Sequence, residues 1–320
     1  MKGKVTVLGS FVVDLMARSP HIPVPGETVK GSIFKMGPGG KGSNQAVAAH
    51  RCGGNVTLIT KVGKDVFGKV ALDFYHGEGM DTQFVFEDET LSTGIALIMV
   101  DEHTAQNSIT VVPGACGAIT EEEMQRAFPV LDETAILVSQ LETNLDILEP
   151  AVERVHQHGG MAILNPAPAP QKPLDDSFIG MFDVVTPNET EASFLTGIEV
   201  VDRQSAHKAA QVLQKKGVKD VIITLGKMGC FLLDSGGQAL LFPTMDVKVV
   251  DTTGAGDAFN GGLATALSQG KDLRQAIYIA TAVASLSVTK VGTAPAMPNE
   301  KELAQFLAKL DSAAYWESVR

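Results

Sequence analysis

From residue 120 onward the chain alternates short apolar runs with stretches of helical spacing, and this rhythm limits the fold more than any other feature. A helix near 120–128 precedes AILVSQLE (135–142), and one near 145–158 precedes MAILNPAP (161–168). DVVTPN (183–188) leads into a helix over 189–196, and a helix over 203–216 leads into DVIITLG (220–226). Helices near 257–268 and 272–289 follow. Strands separated by helices read as a parallel sheet, with helices covering both faces. The N-terminal part opens with a buried strand, VTVLGS (5–10), then a helix over 43–52 and a strand, VTLITKVG (56–63). In such sheets ligands bind beyond the carboxyl ends of the strands. Asp14, Glu142, Asn165, Asn188, Thr224 and Asp251 are read at such ends, the last closing a strand before residue 252.

Two stretches break the rhythm. Residues 15–36 alternate loosely and are punctuated by Pro and Gly, while TGIALIMVD (93–101) and NSITVVPG (107–114) read as a β pair. Together they are expected to form a small sheet over the site, a lid of about 14–36 and 93–114. Its apolar positions, including Val24, Ile33, Ile95, Leu97 and Ile98, call for a cover, and a second copy of the chain would supply one.

Composition narrows the partners. There are 37 acidic residues against 26 basic ones, a formal charge of -11, and no long Lys/Arg run, so nucleic acid and anionic membranes are not expected. Cys52, Cys116 and Cys230 are too scattered for a disulfide framework or a CxxC metal site. Asp14 interrupts the first apolar run and no small-residue cleavage site follows, so the start does not read as a signal peptide. A cytoplasmic protein is expected.

The strongest motif is VVDTTGAGDAFNGGLATAL (249–267). Gly254, Ala255 and Gly256 would let backbone N–H groups converge at a helix N-terminus, a geometry that binds anions. Asp257 would stand at the same helix end. An Asp there can simply cap the helix, but capping alone does not call for flanking glycines, which cost backbone entropy. Cradle and carboxylate together describe phosphoryl transfer from ATP to a hydroxyl. In MGPGGKGSNQAVAA (36–49), Gly40, Lys41 and Asn44 could be presented to a polyhydroxylated ligand; the plainer reading is a tight turn capped by Ser43. Its formal GxGxxG match follows a polar stretch, not a strand, and is weak evidence for a dinucleotide site. TPNETEA (186–192) reads as a capping box of Asn188 and Glu191, with Glu191 also able to order water around magnesium. His156 and His158 are spaced wrongly for one helix face, and Tyr315 with Trp316 reads as packing for a terminal segment.

These segments together resemble the ribokinases of the PfkB family of carbohydrate kinases. The resemblance runs over nearly the whole chain and includes PGET (25–28), GGKGSNQAVAA (39–49), QLE (140–142), LNPAPA (164–169), TPNETEA, ITLG (223–226), DTTGAGDAFNG (251–261) and TKVGTAPAMP (289–298). It implies a three-layer α/β/α sandwich over 1–320 with a mainly parallel sheet and a small β-sheet lid, often shared in a homodimer. It implies Asp257 as catalytic base and the backbone of Gly254, Ala255 and Gly256 as anion hole. Sugar-binding positions would be Val12, Asp14, Gly40, Lys41, Asn44 and Glu142. Asn188, Thr224, Gly226, Gly229, Gly256 and Thr281 would lie in the ATP region, with Glu191 near Mg2+. Asp251, Thr253, Ser287, Lys290, Gly292 and Ala296 would line a K+ site, mostly through carbonyls. Three positions depart from the pattern. Val12 stands where these kinases usually carry Asn, Thr281 where a His often flanks adenine, and Ala296 where Ser is frequent. A pentose, ribose or 2-deoxyribose, is the expected acceptor; another sugar, a nucleoside, or a silent sugar-binding regulator are the alternatives. A nicotinamide oxidoreductase would rest on the weak glycine match alone.

Overall fold

The computed structural model describes residues 3–104, 106–170 and 172–319. In chain order its strands are β1 (Lys4–Leu8), β2 (Val12–Ser19), β3 (Ile33–Gly39), β4 (Asn55–Gly63), β5 (Val85–Asp88), β6 (Thr93–Asp101) and β7 (Asn107–Gly114). They continue with β8 (Thr134–Ser139), β9 (Met161–Leu164), β10 (Val184–Val185), β11 (Asp220–Thr224), β12 (Cys230–Leu233) and β13 (Ala239–Phe242). Among the described residues one sheet has the order β13-β12-β11-β10-β9-β8-β1-β4-β5, and a second has the order β3-β2-β6-β7. The large sheet is parallel from β5 to β11, and the hairpin β12–β13 adds two antiparallel strands at its edge.

Period-two alternation divides the core between the two faces. Val5, Val7, Ile136, Val138 and Ile222 pack on one side beneath the helices Lys41–Arg51, Ala255–Ser268 and Leu273–Ser287. Leu8, Leu137, Val221 and Ile223 point the other way, under Glu121–Asp132, Leu148–Gln157 and Arg203–Lys215. This is the three-layer sandwich. The small sheet is the expected lid, with β2 joined to β3 antiparallel and to β6 in parallel. Ala105, which falls within the stretch expected to form the lid, lies outside the described residues, as do Met1 and Lys2 at the start.

Several expectations need correction. No strand ends at Asp251: the stretch from 243 to 250 is irregular, with Val249 and Val250 exposed. Asp14 lies inside lid strand β2, not at the end of a strand of the large sheet. The helix expected to stop at 128 runs through Pro129 to Asp132, because Ala127, Val130 and Leu131 complete its buried face. The helix Val66–Glu78, capped by Asp65, and the helices Glu300–Leu307 and Ser312–Ser318 were not foreseen. Tyr315 and Trp316 do pack the terminal segment. Trp316 sets its ring edge-on to Phe242, and the Tyr315 hydroxyl donates to the Pro243 carbonyl. Among the described residues no helix is long and apolar enough to cross a membrane.

The strand order reverses beside β1. From β1 the chain moves outward to β4 and β5, then returns to β8 on the other flank and proceeds to β9, β10 and β11. The loops after β1 and β8 therefore diverge, leaving a crevice at the carboxyl edge.

Candidate active site

The crevice is closed at its base by hydrogen bonds between the diverging loops. Ser10, just after β1, donates to Glu142 Oε2 at 2.5 Å, and the Lys41 N–H donates to the same oxygen at 2.9 Å. Gly40 precedes the helix Lys41–Arg51 with φ 89°, and a Cβ there would fall 2.9 Å from the backbone of Ser10, Phe11 and Val12. Only glycine lets the chain pass so close. Ser43 is not the helix cap, because its N–H donates to the Ser10 carbonyl and its hydroxyl accepts from Tyr75. Three residues separate β1 from β2, which places Asp14 above the crevice. Val12, at the start of β2, is buried and packs over Gly94.

On the opposite wall the helix Ala255–Ser268 begins at Gly254, which has φ 76° and provides no side-chain cap. The first-turn N–H groups of a helix have no partner within it and form an anion site, although here the Ala255 N–H donates to the Thr252 carbonyl at 3.2 Å. Asp257 is the third helical residue but does not cap. Its Oδ2 accepts from Asn44 Nδ2 at 2.9 Å and its Oδ1 from Gln45 Nε2 at 3.0 Å, both on the helix Lys41–Arg51. Between the walls is a cleft lined by Lys41, Asn188, Glu191, Thr224, the Gly254–Asp257 turn and Asn260, among others.

Carboxylates dominate the electrostatics. Burial, with Glu142 and Asp257 nearby, pushes the Asp14 carboxyl up to about 6. Burial also raises Asp257, while Lys41, Gln45 and Asn44 pull it back and Glu142 adds to the rise. Glu191 is raised by burial, opposed by the Asn188 N–H and Lys41. Burial alone would lower Lys41, but Asp257, Glu142 and Glu191 outweigh it and hold the ammonium charged. Lys41 thus faces three carboxylates.

The remaining sequence-derived positions fall into groups. Asn188 and Glu191 form the expected capping box: Glu191 donates its N–H to Asn188 Oδ1 at 2.8 Å, and the Asn188 N–H donates to Glu191 Oε2 at 2.9 Å. Thr224 ends β11 beside Asn188, and Gly226 and Gly229 bracket the turn into β12. Thr281 is buried, with its hydroxyl donating to the Ile277 carbonyl, and is not among the cleft residues. Asp251 knits two loops together: Oδ1 accepts from the Thr253 N–H and hydroxyl, and Oδ2 from the Gly292 N–H. The Ser287 hydroxyl donates to the Ala284 carbonyl, and Lys290 pairs with Glu302 at 2.7 Å. Ala296 is buried in a turn, and Arg51 donates to the carbonyls of Ala294, Pro295 and Met297 around it.

Among the described residues no group of three or more His, Cys, Asp or Glu could hold a metal ion. Glu191, with few other carboxylates beside it, suits magnesium, which keeps most of its waters.

Sequence reasoning missed a buried amide cluster behind Asp257: Gln45, Gln140 and Asn260, together with Asn165, which had been noted only for its strand end. Asn260 donates to the Gly256 carbonyl and accepts from the Thr186 hydroxyl at 2.7 Å. Nothing local marks Gln45, Gln140 or Asn165, since their partners are far away in sequence.

A family model described as pfkB family carbohydrate kinase matches residues 2–300. The chain belongs to the PfkB family of carbohydrate kinases. Within that family it is 40% identical to a ribokinase of Haemophilus influenzae, over 96% of this chain and 99% of that protein. It is 36% identical to a deoxyribokinase of Salmonella typhi, over 95% and 98%. A solved structure of an Arabidopsis thaliana ribokinase complexed with ribose and ATP superposes with a TM-score of 0.89 at 28% identity, covering 97% of this chain and 100% of that one. As a PfkB carbohydrate kinase the chain is an ATP-dependent sugar kinase with the ribokinase-like fold.

Proposed function

We propose that this kinase transfers the γ-phosphate of ATP to the primary hydroxyl of a pentose, ribose or 2-deoxyribose, giving the 5-phosphate. The observation that carries the reading is the placement of Asp257. It stands in the first turn of an uncapped, glycine-flanked helix and faces the crevice that holds Asp14, Lys41, Asn44 and Glu142. The ribokinase and deoxyribokinase relatives support the pentose.

In this reading Asp257 accepts the proton of the primary hydroxyl as its oxygen forms a bond to the γ-phosphorus and the bond to ADP breaks. N–H groups of Gly254, Ala255 and Gly256 stabilise the charge that develops on the transferred group. Asp14, Asn44, Glu142 and the Gly40–Lys41 backbone hold the sugar, and Lys41 offsets phosphate charge. Asn188, Thr224 and the turn at Gly226 and Gly229 border the nucleotide, with Thr281 behind it. Magnesium held through water near Glu191 would supply positive charge to the phosphates. Potassium held by the Asp251–Thr253 and Ser287–Ala296 loops would keep the anion hole in shape. The enzyme acts in the cytoplasm as one kinase domain spanning the chain, with the small sheet as its lid. Two copies join through the lids, whose Phe34, Met36, Ile109, Val111 and Val112 are exposed.

The test is Asp257→Asn with a panel of pentoses, hexoses and nucleosides. Sugar-dependent ADP release should appear with a pentose in the wild type, and kcat should fall by roughly 10²–10⁴ in the variant. A variant within a few-fold of wild type would take the base role from Asp257.

A further inference from the structure

Gln45 lies one residue beyond Asn44 on the same helix and points behind Asp257, fully buried and outside the cleft lining. Its Nε2 has two hydrogens, and each is used: one goes to Asp257 Oδ1 at 3.0 Å, the other to Asn165 Oδ1 at 3.0 Å. Its Oε1 accepts from Gln140 Nε2 at 2.7 Å. Chemistry fixes this arrangement. An ionised carboxylate can only accept, so Asp257 requires the nitrogen of Gln45. Asn165 donates its own Nδ2 to the Thr186 carbonyl at 3.0 Å, which also only accepts, so it too turns its oxygen to Gln45. Gln140, itself fully buried at the end of β8, then meets the remaining oxygen.

The two donors on Asp257 differ in their freedom. Asn44 is also buried, but its Oδ1 has no partner among the described residues. It can exchange bonds when a sugar hydroxyl arrives. Gln45 is locked from two sides and cannot.

We propose that Gln45 is a positioning residue for phosphoryl transfer, fixing the Asp257 carboxylate through an amide whose orientation is set by Gln140 and Asn165. The inference rests on Asp257 being the base. Proton abstraction needs a heavy-atom distance within hydrogen-bond reach, and a misplacement of about 1 Å can cost on the order of 10²-fold in rate.

The test is Gln45→Met, which keeps the length and loses the donor, beside Asp257→Asn. Expected is a kcat lower by roughly 10–100-fold with KM for sugar and ATP within about threefold, since the crevice residues stay in place. The acid limb of kcat should also move to higher pH, because a donor to the ionised form is lost; Lys41, Asp14, Glu142 and Glu191 also face Asp257 and stay unchanged. Gln140→Glu is the second variant and stands if Gln45→Met does not fold. It draws the Gln45 nitrogen away from Asp257, so it should show the same split between kcat and KM. An unchanged kcat in the folded variants, or kcat and KM worsening together, overturns the inference while a dead Asp257→Asn leaves the base reading intact. A fully active Asp257→Asn overturns both.

Discussion

Asp14→Asn should make the protein more stable and a worse enzyme. The Asp14 carboxyl is mostly buried and lies near Glu142 and Asp257, which lifts it from its ordinary 3.8 to about 6. The gap corresponds to ~3 kcal/mol at about 1.4 kcal/mol per pH unit. The raised value means that the folded state holds this proton more tightly than the unfolded chain does. Its contribution to stability is fully present below about 3.8 and is lost as pH rises through about 6. At pH 8 the wild type therefore carries the whole penalty, and a neutral amide of the same shape does not. Melting temperature should rise in the variant by roughly 3–6 °C at pH 8, at about 1.5 °C per kcal/mol for a chain of 320 residues, and by little near pH 4. Over the same substitution kcat/KM for the sugar should fall by roughly 10²-fold or more, mainly through KM, because charge-assisted bonds to sugar hydroxyls are lost. Scanning calorimetry at the two pH values and an ADP-release assay measure both effects. A gain that is equal at pH 4 and pH 8, or a loss at pH 8, would refute the electrostatic reasoning.

Val12→Asn should move the ribose to 2-deoxyribose preference toward ribose by ~10–100-fold in kcat/KM, since Val offers no hydrogen bond to a hydroxyl; an unchanged ratio would mean that Val12 only packs against Gly94. Replacing sodium with potassium at constant ionic strength should raise the rate, and equal rates would count against a functional cation site between the loops joined by Asp251 and Gly292. Light scattering at micromolar concentration should give twice the 33.8 kDa of one chain, and Phe34→Lys, at a lid position 67% exposed in the single chain, should shift that mass toward one copy. In the wild type KM for the sugar should rise as pH falls through about 6, as Asp14 takes up its proton.

What was legible in the sequence had local grammar. The glycine-flanked Asp257 carries its meaning within a few residues, and so do the capping box of Asn188 and Glu191 and the strand–helix rhythm after 120. The hairpin β12–β13 was missed although Ser235, Gly236 and Gly237 mark its turn. The segment ending at Asp251 shows the opposite failure. VKVV has strand composition, but a strand needs a neighbour, and here only the N–H groups of Val250 and Asp251 reach a partner, the Val288 carbonyl. The amide cluster was out of reach for a different reason. Gln45, Gln140 and Asn165 each look ordinary alone, and contacts spanning 95 to 212 residues bring them together with Asp257.

The short passage from β1 to β2 divides the sugar's grip between two bodies. Asp14 rides on the small sheet, whose four strands connect to the rest of the molecule at Gly9–Phe11, Gly40, Glu89–Ser92 and Ala115. Asp257 and its amides belong to the large sheet's helices. Under the proposed reading, a sugar that touches both carboxylates would bridge the small sheet and the helices of the large one, so its length and shape would be measured by two separately built walls.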